Sequence, residues 1–355
     1  MQKAFEQVTG KAANSFHQSD VPDLHGKTAI VTGGTGGIGF EVARGLALAK
    51  ARVILVSRKS ENGEEALKKI HESANMEGGG TLTDITFIEC DLGDLKHVKK
   101  VADQLSQQEE RLDILVCDAG VGVNKFDTSA DGIDRHFAVN HLGHFLLVNR
   151  LLPLIRKTEA IPGAEPARIV VVSSELHRSA PSGIHFASVD EINNTQSLGG
   201  GLGEANSLYA RSKLANILFV KGLVKKVLIP NDEQNKIYVI ATHPGAVHTG
   251  QQDQFKEAYG KVFGTVMKYT VVPFMRSPTQ GSLSTIWAAV ADDGNGNGWQ
   301  GKYVTDPAED GKESDMAKDE ILEGRLWKLS ENIITEKLGP DGLLPWNQDV
   351  NGKIL

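Results

Sequence analysis

Residues 28–39 read TAIVTGGTGGIG, an apolar run that passes directly into a glycine-rich turn. The β-branched residues 28–32 predict a buried strand, and a helix is predicted over residues 37–49. Five glycines fall within residues 32–39, so few side chains shield the backbone N–H groups of the turn. Such N–H groups, together with the positive end of the helix, favour a bound anion. The stretch therefore predicts a phosphate-binding turn.

The glycines of this turn fit two spacings. Residues 34–39 contain G-x-G-x-x-G, and residues 32–39 contain T-G-x-x-x-G-x-G. Neither spacing is specific alone, but here it stands between a predicted strand and a predicted helix of a βαβ unit. The alternative, an ordinary strand-to-helix turn, would not need so many glycines. We therefore predict that the turn binds a dinucleotide.

Apolar runs alternate with helical patterns along the first 250 residues. The runs are continuous, as expected for strands covered by helices on both faces. The order predicts an α/β fold, a Rossmann-type doubly wound parallel sheet of about seven strands with helices on both faces, in a single domain with substrate-loop insertions. Strands are predicted over 28–32, 52–57, 85–90, 114–117, 169–173 and 237–241, and helices over 37–49, 61–73, 95–107, 131–156, 207–227 and 315–336.

Four segments do not follow the βαβ pattern. We predict an N-terminal leader, a Rossmann domain with two insertions, and a C-terminal extension; their residues are 1–25, 26–305 with insertions at about 178–206 and 250–278, and 306–355. The glycine-rich part of the first insertion predicts a mobile surface loop. The second insertion is apolar and predicts a lid over an apolar substrate. A packed helix, or a surface for a partner or a membrane leaflet, remains the alternative.

The composition excludes several classes of protein. The chain has 355 residues, a formal charge of −7 and 40% hydrophobic residues, so it can bury a core and is neither disordered nor collagen-like. The chain has no run of five or more basic residues, so a nucleic-acid partner is not predicted. Cys90 and Cys117 are expected to be buried free thiols. The histidines lack metal-site spacing, so no metal is predicted.

No apolar stretch reaches the roughly 18 residues that a membrane-spanning helix requires. The first 25 residues also lack the apolar core of a signal peptide. We therefore predict a cytoplasmic protein without a transmembrane segment, for which peripheral membrane contact and a monomeric or homodimeric state both remain open.

The end of the second predicted strand indicates which dinucleotide is bound. An acidic residue usually stands there to accept the ribose 2′-OH of NAD. This chain has Ser57, Arg58 and Lys59 instead. Arg58 suits a 2′-phosphate, so NADP(H) is the predicted cofactor. A solvated surface arginine is the alternative.

Tyr209 and Lys213 lie four residues apart in a helical pattern and share one face of the helix. An ammonium beside a phenol lowers the phenol's pKa and prepares it for proton transfer. The pair alone is more often structural than catalytic. A catalytic role becomes more specific with Ser173 and Ser174 at the end of a predicted strand and Asn140 on the preceding long helical stretch.

Three further sequence segments resemble those of a known protein family. Residues 139–145 (VNHLGHF), 172–177 (VSSELH) and 212–216 (SKLAN) resemble the short-chain dehydrogenase/reductase family, most closely its retinol-dehydrogenase and WW-domain-oxidoreductase branch. The resemblance covers about residues 26–250. It implies that Ser174, not Ser173, is the active serine, and that Asn140 holds a water linking Lys213 to solvent. The implied catalytic tetrad is Asn140, Ser174, Tyr209 and Lys213.

The resemblance also implies the cofactor contacts. Asp118 departs from the family, which has asparagine there, so a carboxylate or its protonated form replaces an amide. It remains a predicted neighbour of the cofactor. The phosphate loop supplies Gly33, Thr35, Gly37, Ile38 and Gly39; Asp91 and Leu92 meet the adenine; Ala119 and Gly120 approach the ribose and nicotinamide, with Tyr209 and Lys213; and Pro244, Gly245, Val247 and Thr249 belong to the segment at the carboxamide.

These expectations define a function. The chain is expected to be an NADP(H)-dependent alcohol dehydrogenase or carbonyl reductase acting on an apolar or aromatic small molecule. Hydride would pass between nicotinamide and the carbonyl or alcohol carbon, with Tyr209 as general acid/base. The alternatives are a catalytically silent NADP(H)-binding or scaffold protein, and a lyase or epimerase on the same fold.

Overall fold

The computed structural model describes residues 16–76, 84–198, 200–228, 236–247, 275–291, 296–348 and 352–353. Its centre is a seven-stranded sheet in the order β3-β2-β1-β4-β5-β6-β7, and every neighbouring pair is parallel. The predicted fold class is confirmed. The strands are β1 (Thr28–Thr32), β2 (Arg52–Ser57), β3 (Ile85–Glu89), β4 (Ile114–Cys117), β5 (Ala167–Val172), β6 (Ile237–Thr242) and β7 (Tyr303–Val304).

Helices cover both faces of the sheet, and each face has its own apolar core. Leu46 of the helix Gly37–Leu48 and Ile286 of the helix Pro278–Val290 lie in one core. Phe145, Phe219 and Trp327 lie in the other. The longer helices are α1 (Gly37–Leu48), α2 (Ser60–Met76), α3 (Leu95–Gln108), α4 (Gly143–Glu159), α5 (Gly201–Leu223), α6 (Pro278–Val290) and α7 (Glu320–Leu338).

Two predicted segments differ from the structure. Residues 188–203, which include the glycine-rich run, are predicted to form a loop. In the structure they contain the short helix Val189–Asn193 and the start of α5 at Gly201. Gly200, with φ of +66°, ends the turn that precedes α5, a conformation that glycine adopts without strain. The helix predicted over 131–156 begins at Arg135 and ends with α4 at Glu159. A π-helical turn, Ala138–Leu142, lies directly before α4.

The segments outside the Rossmann pattern pack against it where they are described. Leu24 is buried, and its N–H donates to the carbonyl of Ala49 at 2.7 Å. Helix α7 packs on α5, where the Trp327 ring contacts Phe145 edge to face and Phe219 at a tilt. The predicted domain boundaries stay predictions. The apolar residues of the second insertion lie mostly outside the described residues, and among the described helices none is long and apolar enough to cross a membrane.

Candidate active site

A cleft of about 1130 Å³ opens at the carboxyl ends of the strands. In an open parallel sheet, this edge is where ligands bind. Gly39 and Asn140 lie beneath the cleft and do not line it, and Thr249 lies outside the described residues. The predicted residues that line it are Gly33, Thr35, Gly37, Ile38, Arg58, Asp91, Leu92, Asp118, Ala119, Gly120, Ser174, Tyr209, Lys213, Pro244, Gly245 and Val247.

The glycine-rich turn forms one end of this cleft. Gly33, with φ of +70°, passes so close to the loop after β4 that a Cβ there would lie 2.9 Å from the Cα of Ala119. Gly36 is the N-cap of α1 and offers no side-chain cap, while a Cβ on it would meet no atom within 4 Å. The space beside Gly36 at the N-terminus of α1 is therefore open, which fits the pyrophosphate of a dinucleotide.

The ends of β2 and β3 border the same part of the cleft. Thr35 donates from Oγ1 to Ser57 Oγ at 2.9 Å, which joins the glycine turn to the end of β2. Arg58 is exposed, and within the described ranges its guanidinium makes no hydrogen bond or ion pair. Asp91 accepts the N–H of Gly93 at 2.8 Å, a local bond that fixes the turn after β3. Arg58 is thus available to an anionic group.

The two serines after β5 face opposite ways. Ser173 is buried, and its Oγ donates to the carbonyl of Lys213 at 2.7 Å. Ser174 lies on the cleft, accepts the N–H of Leu176 at 3.2 Å and shares a hydrogen bond with Tyr209. Alternation along the extended backbone produces this difference.

Lys213 is a largely buried residue in the floor of the cleft, and its Nζ donates to the carbonyl of Val172 at 2.8 Å. This Nζ lies 5.7 Å from the centre of the Tyr209 ring. Burial lowers the pKa of Lys213 to about 8, although the negative charge of Asp118 acts in the opposite direction.

The expected lowering of the Tyr209 pKa is wrong for this structure. Burial raises the pKa of Tyr209 to about 12, against a smaller lowering by the Ser174 hydrogen bond and with a further rise from Asp118. Removal from water disfavours the phenolate, and the ammonium of Lys213 is held by Val172 rather than by the phenol oxygen. Tyr209 is therefore a protonated phenol at neutral pH.

Asn140 joins two segments below the cleft. Its amide nitrogen donates to the carbonyl of Val121 at 3.1 Å and to Ser212 Oγ at 2.8 Å, while Oδ1 accepts the N–H of Val121 at 2.7 Å. Both amide hydrogens are thus used within the protein. The arrangement makes Asn140 a link between the loop after β4 and helix α5, and its role in holding a water stays a prediction.

The sequence did not single out a buried network around His144. Its Nδ1 donates to the carbonyl of Asn140 at 3.1 Å, so Nε2 must accept the hydrogen of Thr32 Oγ1, 2.8 Å away. Burial lowers the pKa of His144 to about 4, which keeps the ring neutral. Thr32 in turn accepts the N–H groups of Asp118 and Ala119 at 3.0 and 3.1 Å. The network fixes the end of β4 against β1.

The far end of the cleft is walled by residues 305–312, which the sequence assigned mainly to the extension. Arg178 bonds Glu175 and donates to the carbonyls of Gly311 and Lys312, at 3.1 and 2.6 Å. Arg276 pairs with Asp306 at 2.7 Å. The contacts of Arg178 with Gly311 and Lys312 join segments more than 130 positions apart, and Arg276 lies 30 positions from Asp306, so no local sequence signal marks them. They hold the wall in place beside Ser174.

A metal centre has no support in the described part of the chain, where no group of three or more His, Cys, Asp or Glu side chains could hold an ion. His177 instead donates from Nδ1 to the carbonyl of Ser174 at 2.7 Å and accepts the N–H of Ser314 at 3.1 Å. His141 contacts Ser330 Oγ at 2.7 Å. These histidines tie the C-terminal segment to the sheet.

Known proteins resemble this chain over most of its length. A family model described as short chain dehydrogenase matches residues 27–188. A Neurospora crassa oxidoreductase named as mitochondrial is 35% identical over 92% of this chain and 76% of that protein. Retinol dehydrogenase 14 of Mus musculus is 33% identical over 88% of this chain and 86% of that protein. A short-chain dehydrogenase from Burkholderia cenocepacia, solved with NADP, shares the fold with a TM-score of 0.56 at 23% identity, covering 80% of this chain and 97% of that chain.

Proposed function

Because this chain belongs to the short-chain dehydrogenase/reductase family, on its retinol-dehydrogenase-like branch, we propose that it is an NADP(H)-dependent alcohol dehydrogenase or carbonyl reductase. One observation carries the proposal: the glycine turn, Ser174, Tyr209 and Lys213 line a single cleft. A nicotinamide cofactor, when bound, supplies or accepts the hydride. The protein's part is to orient the substrate and to move the proton.

The proton step follows from the state of Tyr209. With its pKa raised to about 12, the phenol is protonated and suited to act as a general acid toward a carbonyl oxygen that gains negative charge. Ser174, which shares a hydrogen bond with Tyr209, holds that oxygen beside the phenol. Lys213 has one of its three hydrogens on Val172, so the others remain for the cofactor ribose.

The choice of NADP(H) over NAD(H) rests on the end of β2. Arg58 is exposed beside the cleft, and Ser57 and Thr35 add hydroxyl groups next to it. A guanidinium with two hydroxyls suits the charge of a 2′-phosphate, whereas residues 57–59 at the end of β2 contain no carboxylate to accept a ribose 2′-OH.

Exchanging Arg58 for aspartate tests this choice. In R58D, the NADPH/NADH ratio of kcat/KM should fall by at least about tenfold, since a charge-assisted contact is replaced by repulsion. Steady-state kinetics with both cofactors measures the ratio. Lys59→Asp changes the same charge one position further along and serves as the control, for which a smaller shift is expected. An equal ratio in R58D and the unaltered protein would contradict the assignment of Arg58.

The proposed substrate is an apolar or aromatic carbonyl compound or alcohol. Leu176, an exposed leucine on the cleft next to Ser174, supports an apolar contact, and the name retinol dehydrogenase of the mouse relative agrees with an apolar alcohol. NADPH oxidation measured across aldehydes, ketones, quinones and retinoids tests the proposal, with Tyr209→Phe as the blank. A lyase or epimerase would turn over without net NADPH oxidation, and a scaffold would not turn over at all.

A cytoplasmic location stays a prediction from the sequence. The Neurospora relative is named as mitochondrial, so the two compartments need to be compared directly. Fractionation of cells that express the chain with a detectable tag makes that comparison.

A further inference from the structure

Asp118 fills an unusual position under the glycine turn. Its carboxylate accepts the N–H of Gly39, the third residue of α1. Oδ2 lies so close to the turn that a Cβ on Gly39 would be 2.6 Å away, and one on Gly33 3.3 Å away. Since the N-cap Gly36 has no side chain to offer, Asp118 provides a negatively charged acceptor at the start of α1.

The start of α1 is also where the pyrophosphate of the proposed cofactor would bind. A helix N-terminus favours one anion because its N–H groups and dipole carry partial positive charge. A carboxylate already bonded there uses part of that charge and repels a second anion. Asparagine, which the family has at this position, would accept the same N–H without the charge.

We propose that ionised Asp118 weakens binding of the nicotinamide dinucleotide, so that protonation of this residue tightens it. The inference rests on the proposed function, because it concerns the same cofactor. It assigns to Asp118 a regulatory effect on affinity that neither the glycine turn nor the catalytic residues supply.

The surroundings of Asp118 place its titration in an accessible pH range. Burial raises the pKa of Asp118 to about 6, although the charge of Lys213 and the N–H of Gly39 both lower it. Among the described residues, Tyr209 of α5 and Cys117 of β4 also interact with the charge of Asp118; burial and that charge raise the pKa of both, so both stay neutral. Lys213, with a pKa of about 8, remains cationic near pH 6.

The sign of the effect follows from linkage. A bound anion raises the pKa of Asp118 further, so the complex takes up a proton. The dissociation constant of NADPH should be lowest below pH 6, rise as pH passes through 6, and level off above the pKa of the complex. If the pKa of Asp118 is one unit higher in the complex than in the free protein, the dissociation constant of NADPH rises about tenfold across this range.

Asp118→Asn provides the test, because it removes the charge and keeps the shape. The dissociation constant of NADPH would be measured by its fluorescence from pH 5 to 8.5 for both proteins. The dissociation constant of the unaltered protein divided by that of D118N should be near 1 at pH 5 and about 10 at pH 8. Taking the ratio cancels ionisation of the NADPH 2′-phosphate, whose second pKa is about 6. Glu110→Gln removes an exposed carboxylate that does not line the cleft, and the ratio of its dissociation constant to that of the unaltered protein should stay near 1.

A second measurement needs no variant. ADP-ribose carries the pyrophosphate but no 2′-phosphate, and calorimetry in two buffers of different ionisation enthalpy reports the protons taken up when it binds. We expect net uptake near pH 6.5. A ratio that does not change with pH, or ADP-ribose binding without proton uptake, would overturn the inference while leaving the proposed function intact. Failure of the unaltered protein to bind NADPH at any pH would overturn the proposed function and the inference with it.

Discussion

Tyr209→Phe should reduce kcat/KM for carbonyl reduction by about 1000-fold while the dissociation constant of NADPH changes by less than about threefold. General acid catalysis contributes roughly 100- to 10,000-fold, and the change removes only the phenol hydroxyl. The ring and its packing remain, so binding of the dinucleotide should be preserved. Initial rates and NADPH fluorescence titration measure the two quantities separately.

Tyr238→Phe is the matched control for this variant. Tyr238 lies on β6, where its ring contacts the guanidinium of Arg168 rather than the cleft. Its loss of one hydroxyl should leave kcat/KM nearly unchanged. Activity of Y209F above a few per cent of the unaltered enzyme would mean that another group delivers the proton.

Gly36→Val should weaken NADPH binding by about 100-fold without unfolding the protein. The backbone at Gly36 is extended, with φ of −164°, and a Cβ there meets no protein atom within 4 Å. Valine is therefore tolerated by the fold but projects into the space above the start of α1. Two charge-assisted hydrogen bonds to the pyrophosphate, at about 1.5 kcal/mol each, would account for the loss.

The control for this variant is Gly298→Val, in a short helical turn away from the cleft, where a Cβ also meets no atom within 4 Å. Its affinity for NADPH should equal that of the unaltered protein. Thermal melting checks that both valine variants remain folded. If G36V binds NADPH as tightly as G298V does, the dinucleotide does not lie against the start of α1.

The sequence predicted those features that depend on short-range patterns. The apolar run 28–32, its glycines and the following helix are contiguous, and local geometry determines how they fold. The positions of Ser173 and Ser174 on opposite sides likewise follow from strand alternation. The cleft brings together Ser174, Tyr209 and Lys213, which the sequence singled out, although their roles stay predictions.

Other features depend on contacts that no short window contains. Helix α5 begins inside a glycine run because the turn at Gly200 and the packing of the helix outweigh the low helix propensity of glycine. Arg178 recognises the carbonyls of Gly311 and Lys312 across more than 130 positions. The spacing of Tyr209 and Lys213 reveals the nearby ammonium but not the burial of the phenol, which raises the pKa of Tyr209 instead of lowering it.

Transfer of an isotopic label tests the central claim most directly. The enzyme would be incubated with NADPH deuterated at C4 of the nicotinamide on each face in turn, and with a carbonyl substrate found in the oxidation screen. We predict that, with one of the two labelled cofactors, the alcohol product gains one deuterium at the former carbonyl carbon, as measured by mass spectrometry, and that Y209F forms almost none of it. An alcohol without the label from either cofactor, or equal product from Y209F, would contradict hydride transfer in this cleft with Tyr209 as the proton donor.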